Sequence, residues 1–143
     1  MIAVDTNVLV AAHKSGAVAH SRAVTELSGL VSSAVPWAIP MPCVHEFYAT
    51  VTHPRKYTPP STAQQAFDQL YAWIDGGAVV ISEAVDHLER LRNLVTAGRV
   101  VGGMVHDAKI ATICLSHGIS ELWTADRDFS RFPALRTRNP LVT

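Results

Sequence analysis

Short apolar runs recur along this chain at residues 2–4 (IAV), 37–39 (WAI), 78–81 (AVVI) and 121–125 (ELWTA), with little of the polar alternation of a half-exposed strand. A strand with no polar face must be covered on both sides. The intervals between the runs are long enough for helices, and a parallel crossover needs a dozen or more residues. Buried strands joined through helices predict an α/β fold, with a parallel sheet of four to five strands flanked by helices on both faces. Residues 135–137 (Leu-Arg-Thr) are expected as an edge strand. There is no repeat, low-complexity tract or linker, and 143 residues suffice for one domain with a real core, so a single domain over 1–143 is expected.

The intervals carry helical patterns. Residues 8–12 follow Thr6 and Asn7, either of which can cap a helix. Further helices are expected over 17–30 and 44–51. Ala63, Phe67, Leu70 and Ile74 form an apolar stripe with Ser61 before it as cap, and Leu88, Leu91 and Val95 form another. Residues 105–117 are apolar nearly all round and end at Gly118, which reads as a buried helix with a glycine stop. The segment THPRKYTPPS, 52–61, cannot sustain a helix.

Lys plus Arg and Asp plus Glu are both 12, so no overall field selects a polyanionic partner. A local patch must do so, and Arg55-Lys56-Tyr57, in the Pro-bounded segment, is the best candidate contact for RNA. Cys43 and Cys114 lie far apart in apolar surroundings and read as buried free thiols. The apolar start lacks basic residues and is interrupted by Asp5 and Asn7. It matches neither a signal peptide nor a membrane span, so a soluble, cytoplasmic protein without a membrane partner is expected.

In a parallel sheet, ligands bind beyond the carboxyl ends of the strands. Asp5 ends the first strand and Asp126 lies just past a later one. Asp107 falls in the first turn of the buried helix, and Glu46 interrupts the apolar residues Val44, Phe47, Tyr48 and Val51 of its own helix. Each acid alone has an ordinary role as a cap, a turn residue or a solvated side chain; together they are compatible with one rim of one sheet. Carboxylates gathered there repel one another unless a cation joins them. Hard oxygen donors with no matching Cys or His set point to Mg2+, with Mn2+ as substitute, and to phosphodiester hydrolysis.

The ordered set MIAVDTNVLV, Glu46 on a helix, HDAKIA and TADRDF resembles the PIN-domain ribonucleases, and the compact length is most similar to VapC-type toxins of bacterial toxin–antitoxin pairs. The resemblance runs over essentially the whole chain. It implies a metal-dependent endoribonuclease with Asp5, Glu46, Asp107 and Asp126 as acids. Thr6, Asn7 and Thr124 are the small polar residues that accompany them and are expected to contact the substrate. Asp128 matches a second acid of the last motif, either a direct ligand, an outer-shell acceptor or a cap. The same resemblance implies RNA as substrate, an antitoxin as partner and a homodimer. The chain is expected to turn after Asp126, so that Asp126 and Asp128 diverge and only Asp126 meets the metal.

Other chemistries fit less well. His45-Glu46 would begin an HExxH zinc motif, but Ala49 occupies the place of its second histidine. Gly102-Gly103 is followed by no Walker Lys-Ser/Thr and reads as a flexible entry to the helix that carries His106 and Asp107. A haloacid-dehalogenase-like phosphatase normally places an acid two residues after its nucleophilic Asp, and here that residue is Asn7. The remaining alternatives are a PIN-type nuclease of housekeeping RNA processing and a non-catalytic domain whose acids receive basic peptide groups.

Overall fold

In the computed structural model, which describes residues 1–142, β1 (Ile2–Val4) leads into α1 (Thr6–His13) and α2 (His20–Ser32). β2 (Trp37–Pro40) leads into α3 (Met41–Val51) and α4 (Ala63–Asp75), and β3 (Ala78–Ile81) into α5 (His87–Ala97) and α6 (Val105–Ser116). β4 (Glu121–Trp123) and β5 (Thr137–Arg138) complete the sheet. The strands lie in the order β3-β2-β1-β4-β5, and each neighbouring pair is parallel. This is the expected α/β architecture, with five strands among the described residues.

Consecutive residues of the central strands, Ala3 and Val4 in β1 and Trp37, Ala38 and Ile39 in β2, are buried, so both faces of the sheet are covered. Connections run from β1 leftward to β2 and β3, then back across to β4 and β5. Right-handed crossovers in the same direction place α1 to α4 together on one face, and the reversed crossover to β4 places α5 and α6 on the other. The reversal leaves a crevice at the carboxyl ends of β1 and β4, the place where an open parallel sheet takes a ligand. α6 is buried at Ala108, Ile110, Ala111, Thr112, Ile113 and Cys114, as its all-round apolarity predicts. Gly118 follows it with φ +65, a conformation that suits glycine.

Several local expectations are corrected. The cap of α1 is Asp5, whose side chain accepts from the Thr6 amide, and not Thr6 or Asn7. α4 is capped by Thr62 in a reciprocal capping box with Gln65, and not by Ser61, whose hydroxyl instead meets the His13 ring. The buried edge of α4 is Ala66, Leu70 and Trp73. Phe67 and Ile74 remain 44% and 38% exposed, because Trp73 rather than Phe67 fills the core against Phe47. In α5, Leu88 is 81% exposed and the buried position is His87. β5 forms at 137–138, one to two residues later than expected. α3 begins at Met41, where Pro42 sits in the first turn, a place that needs no amide donor. Both cysteines are free and buried, as expected. Among the described residues no helix is long and apolar enough to cross a membrane.

Candidate active site

Asp5 is held where β1 stops and α1 starts. It is 4% exposed, and its carboxylate is fully engaged. Oδ1 accepts from the Thr6 amide at 2.8 Å and faces the Cys43 thiol at 3.4 Å. Oδ2 accepts from the Thr124 hydroxyl at 2.7 Å and the Asn7 amide at 3.2 Å. Burial raises the Asp5 pKa above its ordinary value, donors from Thr124, Thr6 and Cys43 oppose the rise, and Glu46 adds to it. Cys43 itself is a thiol, since burial and the adjacent Asp5 push its pKa well up. It is therefore a donor to the acid and no thiolate ligand.

Asn7 and Thr124 tie Asp5 to the loop beyond β4. Asn7 donates to Thr124 Oγ1 at 3.3 Å and accepts from the Ala125 amide at 3.0 Å. Thr124 Oγ1 accepts from the Asp126 amide at 3.0 Å. Thr6 Oγ1 donates to Glu46 Oε2 at 2.9 Å, joining α1 to the exposed acid on α3. The polar atoms of Thr6, Asn7 and Thr124 are thus directed at the acids and their backbone. That is a positioning arrangement.

Asp126 caps a 3-10 turn over Arg127–Arg131, its Oδ1 accepting from the Asp128 amide at 2.9 Å. The chain turns here as expected, but the two acids do not diverge. Oxygens of Asp107, Asp126 and Asp128 lie within 4.8 Å of one another. The tight turn folds residue 128 back towards 126, whereas an open loop would carry it away. Arg127 and Asp128 are exposed, and Asp126 is half-buried.

Asp107 enters from the first turn of α6, where the helix end favours negative charge. Its pKa is nevertheless raised to about 6, chiefly by desolvation and then by Asp126, Asp5, Asp128 and Glu46. The four acids Asp5, Glu46, Asp107 and Asp126 line one open cleft of about 440 Å³, together with Thr6, Asn7 and Tyr57. The structure so brings together acids spread over 121 positions of sequence, from Asp5 to Asp126. Arg55 and Lys56 are exposed on the loop after α3 and do not line this cleft; of that triplet only Tyr57 does. His106 is exposed beside Asp107.

This donor set fits a hard divalent cation. Three carboxylate oxygens converge, with no thiolate or imidazole joining them among the described residues, and repulsion from the neighbouring acids adds to the desolvation that raises the Asp107 pKa. A pH dependence follows. Unfolded Asp titrates near 4, and folded Asp107 near 6. The folded, metal-free protein binds more protons between those values, so this group's contribution favours folding below about pH 4 and is lost as pH rises through about 6. Mg2+ or Mn2+ competes with that proton. Added metal is therefore expected to raise the melting temperature more at pH 7 than at pH 5. Equal shifts at the two pH values would contradict the assignment of Asp107 to the cation.

Comparisons with known proteins agree with this arrangement. The family model of the PIN domain matches residues 2–135. Ribonuclease VapC43 of Mycobacterium tuberculosis is 31% identical over 142 residues, covering 99% of this chain and 96% of that protein. Ribonuclease VapC48 of the same organism is 26% identical over 95% of this chain and 94% of its own length. Among solved structures, VapBC2 of Rickettsia felis bound to a promoter DNA fragment superposes with a TM-score of 0.71 at 19% identity, covering 97% of this chain and 98% of that one. VapC20 of Mycobacterium tuberculosis, a toxin that cleaves the sarcin-ricin loop, superposes with a TM-score of 0.64 at 19% identity over 91% and 93%. With the PIN model matching nearly the whole chain and acids gathered at the sheet's switch point, this chain belongs to the PIN domain family.

Proposed function

We propose that this protein is a divalent-cation-dependent endoribonuclease that acts as the toxin of a toxin–antitoxin pair. The observation that carries the reading is the convergence of Asp107, Asp126 and Asp128 beside Asp5 and Glu46 at the carboxyl edge of the sheet. The relatives named ribonucleases and the neighbours solved as toxin–antitoxin complexes support it.

Asp107 and Asp126 would hold the cation, Mg2+ or Mn2+, with Asp128 at its margin and Asp5 and Glu46 completing the negative wall. When bound, the ion supplies charge for the developing phosphorane oxygens and acidity for an attacking water. The chain's own contribution is placement. Thr124 and Asn7 fix the rotamer of Asp5, and Thr6 restrains Glu46, whose exposed carboxylate is free to accept a proton from water. The scaffold of β1, β4 and α6 keeps these groups in register without ordering loops on each turnover. A cognate antitoxin would cover the acids, and a homodimer belongs to the same reading.

The test is cleavage of single-stranded RNA by the purified protein. Activity is expected with Mg2+ or Mn2+ and none in excess EDTA; full activity in EDTA would overturn the mechanism. Within a Mg2+ titration, Asp126→Asn should lose more than Asp128→Asn. Asp126 is half-buried in the cleft and Asp128 exposed, and loss of a group acting from the margin costs roughly 10–100-fold. Equal losses at saturating metal would make both direct ligands.

A further inference from the structure

The acid cleft continues into a second, larger one. A cleft of about 750 Å³ lies against it, lined by His13, Lys14, Tyr57, Gln65, Asp68 and Gln69 among others. Tyr57 lines both. The loop after α1 does too, with Ser15 and Gly16 on one side and Ala17 on the other. The volume lies within the range of about 300–1,000 Å³ typical of small-ligand clefts. Lys14 is the only Lys or Arg lining either cleft among the described residues, and its ammonium sits 4.7 Å from the centre of the Tyr57 ring.

We propose that this second cleft is the subsite for the nucleotide adjoining the scissile phosphate, with Tyr57 stacking on its base and Lys14 pairing with its phosphate. The inference rests on the ribonuclease reading and adds the residues that grip the substrate. RNA approaching five carboxylates is repelled unless a cation lies next to them, and Lys14 is the cation so placed. Its ammonium rests on an aromatic face that a base can take over. Stacking on an aromatic side chain is worth more than an exposed cation–π contact, so the exchange is favourable. The flexible four-carbon stem then carries the ammonium to a phosphate.

The wall that carries His13 and Gln69 is polar and braced. His13 Nε2 meets Ser61 Oγ at 2.9 Å, His13 Nδ1 meets Gln69 Oε1 at 3.1 Å, and the ring packs edge-on against Phe47 at 5.3 Å. Gln65 and Gln69 bring amide groups to this wall, the chemistry that reads a base edge in single-stranded RNA. The sequence points to Arg55-Lys56-Tyr57 as the RNA contact; the geometry keeps Tyr57 and sets Lys14 beside it.

The experiment is steady-state cleavage of a short single-stranded RNA of mixed sequence, with the salt concentration varied. Lys14→Met keeps the apolar stem over Tyr57 and removes the charge. It should raise KM with kcat unchanged and flatten the log–log salt dependence of kcat/KM by about 0.7. Tyr57→Leu should lower kcat/KM roughly 5- to 150-fold through KM, and Tyr57→Phe should restore it. Wild-type KM and salt slope in Lys14→Met and Tyr57→Leu would overturn the subsite while the ribonuclease reading stood. So would a loss in kcat alone, or a defect confined to binding a basic antitoxin peptide. Failure of the wild-type protein to cut any RNA with metal present would remove the ribonuclease reading and the subsite together.

Discussion

Asp107→Asn is expected to lower RNA cleavage by more than about a hundredfold at saturating Mg2+, with the fold unchanged. Loss of a group that merely orients a metal ligand already costs about 10–100-fold, and Asp107 offers its own oxygen to the cluster. The substitution also removes a repelled, partly desolvated carboxylate, so the metal-free variant should melt no lower than the wild type. Asp5→Asn should abolish cleavage too, but for a second reason as well. The Asp5 oxygens accept from Thr6, Thr124, Asn7 and Cys43. An asparagine would turn an amide donor towards those donors, leaving buried partners unsatisfied at about 1–3 kcal/mol. Cleavage assays paired with thermal melts separate the two cases. Wild-type activity in Asp107→Asn would sink the metal mechanism, and an unchanged melting temperature in Asp5→Asn would contradict the hydrogen-bond network around it.

Expression of the protein without an antitoxin is expected to halt growth, and expression of Asp107→Asn to leave it unaffected. Co-expression of a cognate antitoxin should restore growth. The physical basis is the open acid cleft: an arginine from a partner would pair bidentately with Asp107 and Asp126 and exclude both cation and RNA. Normal growth of cells containing soluble protein that cuts RNA in vitro would reject the toxin role and favour housekeeping RNA processing.

Local chemistry was legible in the sequence wherever neighbours along the chain decide the outcome. The strands 2–4 and 78–81, the all-round apolar helix ending at Gly118, the free thiols and the positions of Asp5, Glu46, Asp107 and Asp126 all follow from apolar pattern, caps and motif resemblance. Which edge of a helix is buried did not. The stripe containing Phe67 and Ile74 is a valid amphipathic pattern, yet α4 meets the core through Ala66, Leu70 and Trp73, because the space beside Phe47 accepts the tryptophan. Helical periodicity specifies a face only to within the breadth of the stripe; the neighbouring layer chooses within it.

The rest belongs to tertiary structure. Nothing along the chain states that β1 and β4 are neighbours, so the sequence names the acids but not the crevice between those strands. Their pairing lets Thr124 reach Asp5 across 119 positions, making Thr124 and Asn7 parts of one hydrogen-bonded frame. The 3-10 turn decides that Asp128 stays with Asp126. The association of Lys14 with Tyr57 was likewise hidden, since the contact spans the end of α1 and the loop after α3. Sequence determined which groups could carry charge, ligate or cap, because those are properties of single residues and short spacings. Only the sheet order and the packing of the helices decided which of them share a cleft, because the burial and the neighbouring acids that raise the Asp107 pKa both come from segments remote along the chain.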